Sequence, residues 1–180
     1  MIKPKKIGFY YKSEKSNKRL IYLFERNQRI RYAGSNKDWE DKSFLSKLAQ
    51  EEKKARLEIL KMLRKGEIRT ADDFYRASWF FHHGTNFHSY ALATALAATS
   101  YHLGEPWGKN LYALALDRFL LSIGQPQYFG TQFEKKYGKW RFSPYNKKTT
   151  DKERKLYFVE PIKKSMKSVK DLELQEKAKK

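Results

Sequence analysis

A long segment of low charge, from Ala77 to Phe133, lies inside an otherwise strongly basic chain. It contains all four histidines but only four formally charged residues, whereas lysine and arginine are dense on both sides of it. Because charged side chains are rarely buried without a partner, a stretch so poor in charge is expected to form the buried core. The polar residues that this segment keeps therefore need a specific explanation, and they are the candidates for a functional site.

The composition limits the class of protein to which the chain can belong. At 180 residues it is long enough for one domain with a hydrophobic core, and its 12 Tyr, 12 Phe and 4 Trp argue against disorder of the whole chain. The absence of cysteine excludes disulfides, thiolate nucleophiles and cysteine-bound metals, and it favours a reducing, cytoplasmic setting. Neither a secretory signal nor a membrane-spanning segment is visible, so no membrane span is expected.

Hydrophobic periodicity predicts four consecutive helices, each followed by a glycine. The first is a charged, amphipathic stretch capped by Asn36 or Asp38, and most of its run of charges at 51–56 is expected to face solvent. The third carries no formal charge and is rich in alanine, so it is expected to be the central helix. The four predicted helices span residues 38–65, 70–83, 86–103 and 107–123.

The flanks of these helices complete the predicted organisation. Residues 1–36 are a basic N-terminal arm in which Leu20–Arg31 fits either a strand or a helix. Residues 37–145 are the helical core domain with the polar site, and they include a predicted small hairpin over residues 131–142. Residues 146–180 are a basic C-terminal tail, partly helical. The fold class is therefore mainly α: a compact, weakly repeat-like bundle of four to five helices with a small extended or β-hairpin appendage.

Two pairs of polar residues stand out in the low-charge segment. Asp117 and Arg118 are neighbours within a helix, so they point in different directions, and at least one of them is expected to reach another element. They fit equally well a buried carboxylate or ion pair that fixes the loop after Gly124, or part of a functional site. His82 and His83 fit either stabilisation of a helix end or proton transfer near neutral pH. No metal site is expected, because the histidines lack metal-ligand spacing.

The loop from Gly124 to Gln132 is rich in glutamine and glycine. Gln127, Thr131 and Gln132 carry amides and a hydroxyl that can hydrogen-bond a ligand, and glycine allows a ligand to approach the backbone closely. The alternative is a structural turn held by its own side chains. The sequence does not distinguish between these two interpretations.

These residues together resemble the signature of an uncharacterised bacterial family, a domain of unknown function. The resemblance covers roughly residues 22–142. The elements that carry it are Asn27-Gln28-Arg-Ile-Arg31, His83-Gly84, Asp117-Arg118 and Gly-Gln-Pro-Gln-Tyr-Phe-Gly-Thr-Gln at 124–132.

The resemblance implies shared site residues but no particular activity. It implies that eight side chains converge in space: Gln28, Arg31, His83, Asp117, Arg118, Gln127, Thr131 and Gln132. Two positions depart from the family's pattern, since Asn27 replaces the usual acid and His82 replaces the usual glutamine. Both departures bear on any chemistry that these positions perform.

The leading hypothesis is a polar pocket, catalytic or purely binding, for a small or anionic ligand. His83 is the predicted proton-transfer group, Asp117 its orienter or base, and Arg118 or Arg31 the group that holds the anion. The other predicted ligand-binding residues are Gln28, Gln127, Thr131 and Gln132. No cofactor-binding motif is present, so no cofactor is expected.

Two alternatives come from other functional classes. The formal net charge of +19 permits a basic module that binds nucleic acid or an acidic protein, and it says nothing about the fold. The helical pattern also permits a protein-interaction domain resembling short helical repeats. The sequence gives no indication of the oligomeric state.

Overall fold

The structure is a computed structural model, and it describes residues 15–34, residue 38 and residues 41–177. Within these ranges the chain forms seven helices and one antiparallel two-stranded sheet. The elements are α1 (Lys18–Ala33), α2 (Lys42–Arg64), α3 (Ala71–His82), α4 (Phe87–His102), α5 (Gly108–Ser122), β1 (Phe133–Lys136), β2 (Lys139–Phe142), α6 (Asp151–Leu156) and α7 (Ile162–Lys177). This confirms the predicted class, a mainly helical bundle with a small β-hairpin appendage. None of the helices in the described ranges is both long and apolar enough to cross a membrane.

The helix boundaries follow local capping residues. Thr70 begins α3 with a capping box, in which its hydroxyl accepts from the N–H of Asp73 and the Asp73 carboxylate accepts from the N–H of Thr70. The cap of α2 is Asp41. Of the two caps predicted for this helix, Asp38 lies before the observed start and Asn36 lies outside the described residues. All four helices predicted from periodicity are present.

α1 lies in the segment that the sequence assigns to a basic arm. Of the two interpretations of Leu20–Arg31, the structure shows the helix. Leu20 and Leu23 are buried in the main core, so the helical bundle begins well before residue 37. The other stretch in this arm with strand character, Ile7–Tyr11, lies outside the described residues.

The main core takes half of its buried residues from outside the low-charge segment. These residues are Leu20, Leu23, Ala55, Ile59, Met62, Ile68, Ala77, Phe80, Phe81, Ala93, Leu96 and Ala115. The first six come from α1, α2 and the turn after α2, and the last six come from α3, α4 and α5. The expectation that the low-charge segment alone forms the core is therefore incomplete. α1 and α2 are amphipathic, and charged residues on their outer faces mask the apolar stripes that they bury.

α4 packs between α3 and α5, in the central position predicted for it. Ala93 and Leu96 are buried on its inner side. Its outer side is exposed at His88, Ala95 and His102. The absence of formal charge therefore does not place this helix in the core on all sides, because single small or weakly polar residues are common at protein surfaces.

The close approach of α4 and α5 depends on Gly108. A Cβ atom at this position would lie 2.7 Å from the backbone nitrogen of Tyr101 and 3.0 Å from the carbonyl oxygen of Ala97. Both atoms belong to the backbone of α4 and cannot rotate away. We therefore expect Gly108→Ala to lower the free energy of unfolding by about 1–3 kcal/mol, although alanine is the better helix former.

Urea denaturation of the variant and the parent measures this difference. Ala95→Ser, on the exposed side of α4, is the control and should change the free energy of unfolding by less than about 0.5 kcal/mol. A Gly108→Ala protein at least as stable as the parent would contradict the close packing of the two helices.

The chain after α5 forms the hairpin and a second, smaller core. β1 and β2 pair antiparallel, with Lys136 opposite Lys139, in the region predicted to form a hairpin. The second core consists of Ala113, Phe129 and Val159, with Tyr112, Leu116 and Tyr157 packed against it. Arg154 of α6 is buried and donates from Nε to the carbonyl oxygen of Phe129, at 2.8 Å. The helix α6 thus holds the loop that follows α5 from the outside.

Candidate functional site

The carboxylate of Asp117 fixes the loop that follows α5. It is fully buried, and Oδ1 accepts from the backbone N–H groups of Tyr128 (2.7 Å) and Phe129 (2.8 Å). Oδ2 accepts from the backbone N–H (2.9 Å) and the hydroxyl (2.8 Å) of Thr131. Burial raises the pKa of Asp117, and these donors act in the opposite direction. The geometry corrects the prediction that Asp117 orients His83, because both carboxylate oxygens are occupied by the loop.

Gln127 closes the same loop from the inside. It is fully buried, and its Nε2 donates to the carbonyl oxygens of Gln132 (3.0 Å) and Ser143 (2.8 Å). Its Oε1 accepts from the backbone N–H of Gln132, at 2.8 Å. Gln127 and Thr131 thus use their polar atoms to hold the loop to itself, to Asp117 of α5 and to the segment after β2. This is the structural turn that the sequence allowed as an alternative to a ligand-binding loop.

Arg118 leaves α5 on a different side from the preceding aspartate, as helix geometry requires. Its Nε donates to Oε1 of Gln132 (3.0 Å), and its Nη1 donates to the backbone carbonyl of His82 (3.2 Å). Tyr90, near the start of α4, is close enough to this side chain to act on the pKa of Arg118. Burial lowers the pKa of Arg118, although an arginine in a protein stays protonated. This guanidinium therefore connects the loop, the end of α3 and the start of α4.

A second charged group, on α1 and α2, is centred on Glu52. Its Oε1 accepts from Nε of Arg31 (2.9 Å) and from Nδ2 of Asn27 (2.9 Å). Its Oε2 lies 3.9 Å from Nη1 of Arg56, which donates a long hydrogen bond of 3.5 Å to the backbone carbonyl of His83. These contacts bring the motif at 27–31 and the end of α3 to the same place.

Glu52 and Arg56 are site residues that the sequence analysis missed. Most of the charged run at 51–56 was expected to face solvent, but Glu52 is only 6% exposed and the side chain of Arg56 only 15% exposed. A usable signal was present, because Glu52 falls in the apolar stripe of α2 between Leu48 and Ala55. A single acid inside an apolar stripe indicates a buried charge with a partner on another helix.

His82 and His83 lie at the end of α3 and are neutral at physiological pH. Burial lowers the pKa of His82 to about 2, and the charge of Arg118 adds to this effect. Burial likewise lowers the pKa of His83 to about 3, with contributions from Arg31, Arg118 and Arg56. Neutral rings place no positive charge at the end of α3. The lowered pKa values therefore do not favour the interpretation that the two histidines stabilise the helix dipole.

The charges in this cluster favour an anionic ligand. Three guanidinium groups, those of Arg31, Arg56 and Arg118, meet there with one carboxylate, that of Glu52. With both histidines neutral, the sum over these groups is three minus one, or +2. Positive charges that are partly buried and face one another are stabilised by an ion of opposite sign.

Unpaired polar atoms occur in the same region. Among the described residues, five buried side-chain atoms on α1, on α3 and on the residue after α3 have no hydrogen-bond partner: Asn27 Oδ1, Gln28 Nε2, Trp79 Nε1, His82 Nδ1 and His83 Nε2. The Trp79 ring lies next to that of His83, with 5.1 Å between the ring centres. Buried polar atoms are normally hydrogen-bonded, so a group of unpaired ones requires an explanation. The nitrogen atoms of Gln28 and Trp79 are N–H donors, which suit an anion.

A groove of about 500 Å³ provides access to Arg118 from solvent. Tyr90, Arg118 and Gln132 line it, together with Phe133 and Glu134 at the base of the hairpin. Ligand sites for small molecules typically have volumes of about 300–1,000 Å³. A cavity between α1 and α2, lined by residues that include Asn27 and Glu52, measures only about 30 Å³. Of these two spaces beside the guanidinium cluster, only the groove is large enough for a small ligand.

The eight residues expected to converge divide into two connected groups. Arg31, His83, Arg118 and Gln132 belong to the guanidinium cluster, and Gln28 is on the same helix as Arg31 with its Nε2 buried and unpaired. Asp117, Gln127 and Thr131 hold the loop behind this cluster. The two groups meet where Nε2 of Gln132 donates to Oγ1 of Thr131, at 2.8 Å.

Comparisons with known proteins do not place this chain in a family. No family model, curated protein or solved structure matches it. The resemblance to an uncharacterised bacterial family therefore stays a prediction. Within the ranges that the structure covers, no three His, Asp or Glu side chains are grouped so that they could hold a metal ion. Fold and site together define a helical protein with a cluster of guanidinium groups, one of which, that of Arg118, lines an open groove.

Proposed function

We propose that this protein binds a small dianion in the groove beside Arg118. The observation that carries this proposal is the charge of +2 around the end of α3, where Arg31 and Arg56 contact the carboxylate of Glu52 and Arg118 donates only to the neutral groups of Gln132 and His82. Like charges in a partly buried site repel one another and have lost part of their hydration. A ligand with two negative charges, such as a phosphate monoester, neutralises this excess.

Arg118 is the residue to which we assign direct contact with the anion. It lines the groove, and its hydrogen bonds to Gln132 and to the carbonyl of His82 hold the guanidinium in one orientation. A guanidinium that is already fixed loses little conformational freedom when a ligand binds, and its geometry matches two oxygens of a phosphate or carboxylate. Tyr90, which lines the same groove, adds a hydroxyl group.

The bound anion gives His83 a chemical role. In the free protein the pKa of His83 is lowered to about 3, so its ring is neutral and only a weak base. An anion beside Arg118 offsets the positive charges and raises the pKa of His83 towards the range where histidine transfers protons at neutral pH. His83 is therefore the proton-transfer group in the complex, and it acts without Asp117.

Isothermal titration calorimetry with inorganic phosphate tests this proposal. The parent protein is expected to bind phosphate, and Arg118→Ala is expected to weaken binding by about 10- to 150-fold through loss of charge-assisted hydrogen bonds. Arg19→Ala is the matched control, because it removes one positive charge from an exposed pair with Glu58. Its affinity for phosphate should stay close to that of the parent. A parent that does not bind phosphate, or an equal loss in both variants, would refute the proposal.

NMR titration of the His83 ring nitrogens gives a second readout of the same binding event. Saturating phosphate is expected to raise the pKa of His83 in the parent and in Arg19→Ala. A pKa of His83 that phosphate does not change would place the anion elsewhere and remove the proton-transfer role.

A further inference from the structure

The turn between β1 and β2 combines three features that do not favour stability. Lys136 and Lys139 lie directly opposite each other, and like charges in this position destabilise a strand pair. Tyr137 has a φ of +51°, a conformation that glycine and asparagine adopt far more readily. Its side chain is 85% exposed, so the ring buries little apolar area. Asparagine or glycine in place of Tyr137, and an uncharged pair in place of Lys136 and Lys139, would avoid all three features. Their coincidence at one turn therefore indicates a function.

The chemistry of this turn suits a nucleotide. Opposite residues of an antiparallel pair have Cβ atoms about 5 Å apart, so the two lysines can hold one phosphate between them. An anion in this position offsets the repulsion between Lys136 and Lys139. The ammonium of Lys136 lies over the Tyr137 ring, 5.6 Å from its centre, and the ring, 85% exposed, still offers a flat face on which a base can stack.

One further cation lies on the same face of the hairpin as the two lysines. Directly opposite residues and every second residue of a strand share a face, so Arg141 lies on the face of Lys136 and Lys139, with Glu134 opposite it. Arg141 is exposed on β2. Phe133 and Trp140, with 5.7 Å between their ring centres, lie on the other face. Arg141 is two residues, about 7 Å, from Lys139, so the row of cations is long enough for more than one phosphate.

We infer that the hairpin, residues 133–142, binds single-stranded nucleic acid. Lys136 and Lys139 contact the phosphates, while Tyr137 stacks on a base. A single strand fits this surface better than a duplex, because only unpaired bases expose their faces for stacking. The inference goes beyond the proposed anion site, since the two lysines and Tyr137 lie outside the lining of the groove.

Fluorescence anisotropy with labelled oligothymidylate and oligouridylate measures this binding. We expect the double variant Lys136→Gln/Lys139→Gln to weaken binding at low salt by about tenfold or more. The slope of log K against log salt concentration should fall by about 1.4, because each phosphate contact to a single strand contributes about 0.7. Lys167→Gln/Lys170→Gln is the matched control, since it removes two charges from exposed positions of α7. Its salt slope should stay close to that of the parent.

Tyr137→Asn separates binding from stability, because the two expected effects have opposite signs. Asparagine tolerates the positive φ, so the Tm should rise by about 2–4 °C. Loss of the stacking ring should weaken oligonucleotide binding by about 5- to 150-fold. A rise in Tm with unchanged affinity would show that the ring has no part in binding.

Three results would overturn the inference. They are an equal loss of affinity in the α7 double variant, tighter binding of a duplex or of anionic lipid vesicles than of single strands, and full affinity in Tyr137→Asn. A preference for either oligonucleotide supports the inference and identifies the strand as RNA or DNA. Arg118→Ala should bind the oligonucleotides as the parent does, so failure of the anion site and failure of the hairpin site are distinguishable.

Discussion

Asp117→Ala is expected to lower the free energy of unfolding by about 3–5 kcal/mol. The substitution removes the acceptor for the backbone N–H groups of Tyr128, Phe129 and Thr131 and leaves these donors without a partner. Buried donors that lose their acceptor cost their full desolvation energy, which exceeds the net value of the bonds themselves. Since typical domains are stable by only about 5–15 kcal/mol, the variant should be close to unfolding at room temperature.

Urea denaturation followed by circular dichroism measures this loss. Asp72→Ala is the matched control, because it removes a carboxylate that accepts a hydrogen bond from Arg76 at the surface of α3. The free energy of unfolding of Asp72→Ala should be lower than that of the parent by less than about 1 kcal/mol. Asp117→Asn keeps the shape of the side chain but turns one acceptor into a donor, so it should lose much of the same stability. An Asp117→Ala protein within about 1 kcal/mol of the parent would show that other contacts hold the loop.

Amide hydrogen exchange locates the effect of the same substitutions. The N–H groups of Phe129 and Thr131 should be protected in the parent and should exchange much faster in Asp117→Asn. The amides of α3 should keep their protection in this variant while it remains folded. Faster exchange throughout the chain instead of in the loop would indicate that Asp117 stabilises the whole bundle rather than this segment.

Much of the helical fold was predictable because local chemistry sets it. Thr70 caps α3 as its sequence context indicates, and Gly66, Gly104 and Gly124 follow their helices with positive φ angles. The helix α1 was different, because Leu20–Phe24 is aromatic and branched enough for a strand and also fits an amphipathic helix. Packing against α2 and α3 decides between these possibilities, and a single sequence does not contain that information.

The candidate site was predictable in its residue types but not in its contacts. The rarity of polar residues in the low-charge segment identified Asp117, Arg118 and His83. Helix geometry required the side chains of Asp117 and Arg118 to point in different directions. The direction in which each points depends on how α5 is rotated against its neighbours, which is a property of the packed bundle. Glu52 was missed because it stands in a run of charges, where neighbours in sequence concealed its position in the apolar stripe.

Acidification from pH 7.5 to pH 5 is expected to lower the free energy of unfolding by about 2–4 kcal/mol through His82 and His83. The pKa of His82 is lowered to about 2 and that of His83 to about 3 in the folded protein, whereas an unfolded histidine has a pKa of about 6.5. Below pH 6.5 the unfolded chain therefore binds protons that the folded chain does not. The contribution of the two histidines to the free energy of unfolding is fully present above this pH and is lost as the pH falls towards 3.

Urea denaturation at a series of pH values measures the slope of the free energy of unfolding against pH. Carboxylates titrate mostly below pH 5, so the interval from about pH 6.5 to 5 isolates the histidines. The double variant His82→Gln/His83→Gln should flatten the slope in this interval, whatever its stability at pH 7.5. The matched control is His88→Gln/His102→Gln, because both of these residues are exposed on α4. It should keep the slope of the parent, and a flattened slope in this control would contradict the assignment.

The same slope connects the histidines to the proposed anion site. If phosphate binds beside Arg118 and raises the pKa of His83 in the folded protein, the difference from the unfolded chain becomes smaller. Saturating phosphate should then reduce the loss of stability between pH 6.5 and 5, in addition to stabilising the protein at every pH in that interval. In Arg118→Ala phosphate should leave the slope unchanged. A phosphate effect of equal size in the parent and in this variant would show that the anion acts on the histidines from some other position.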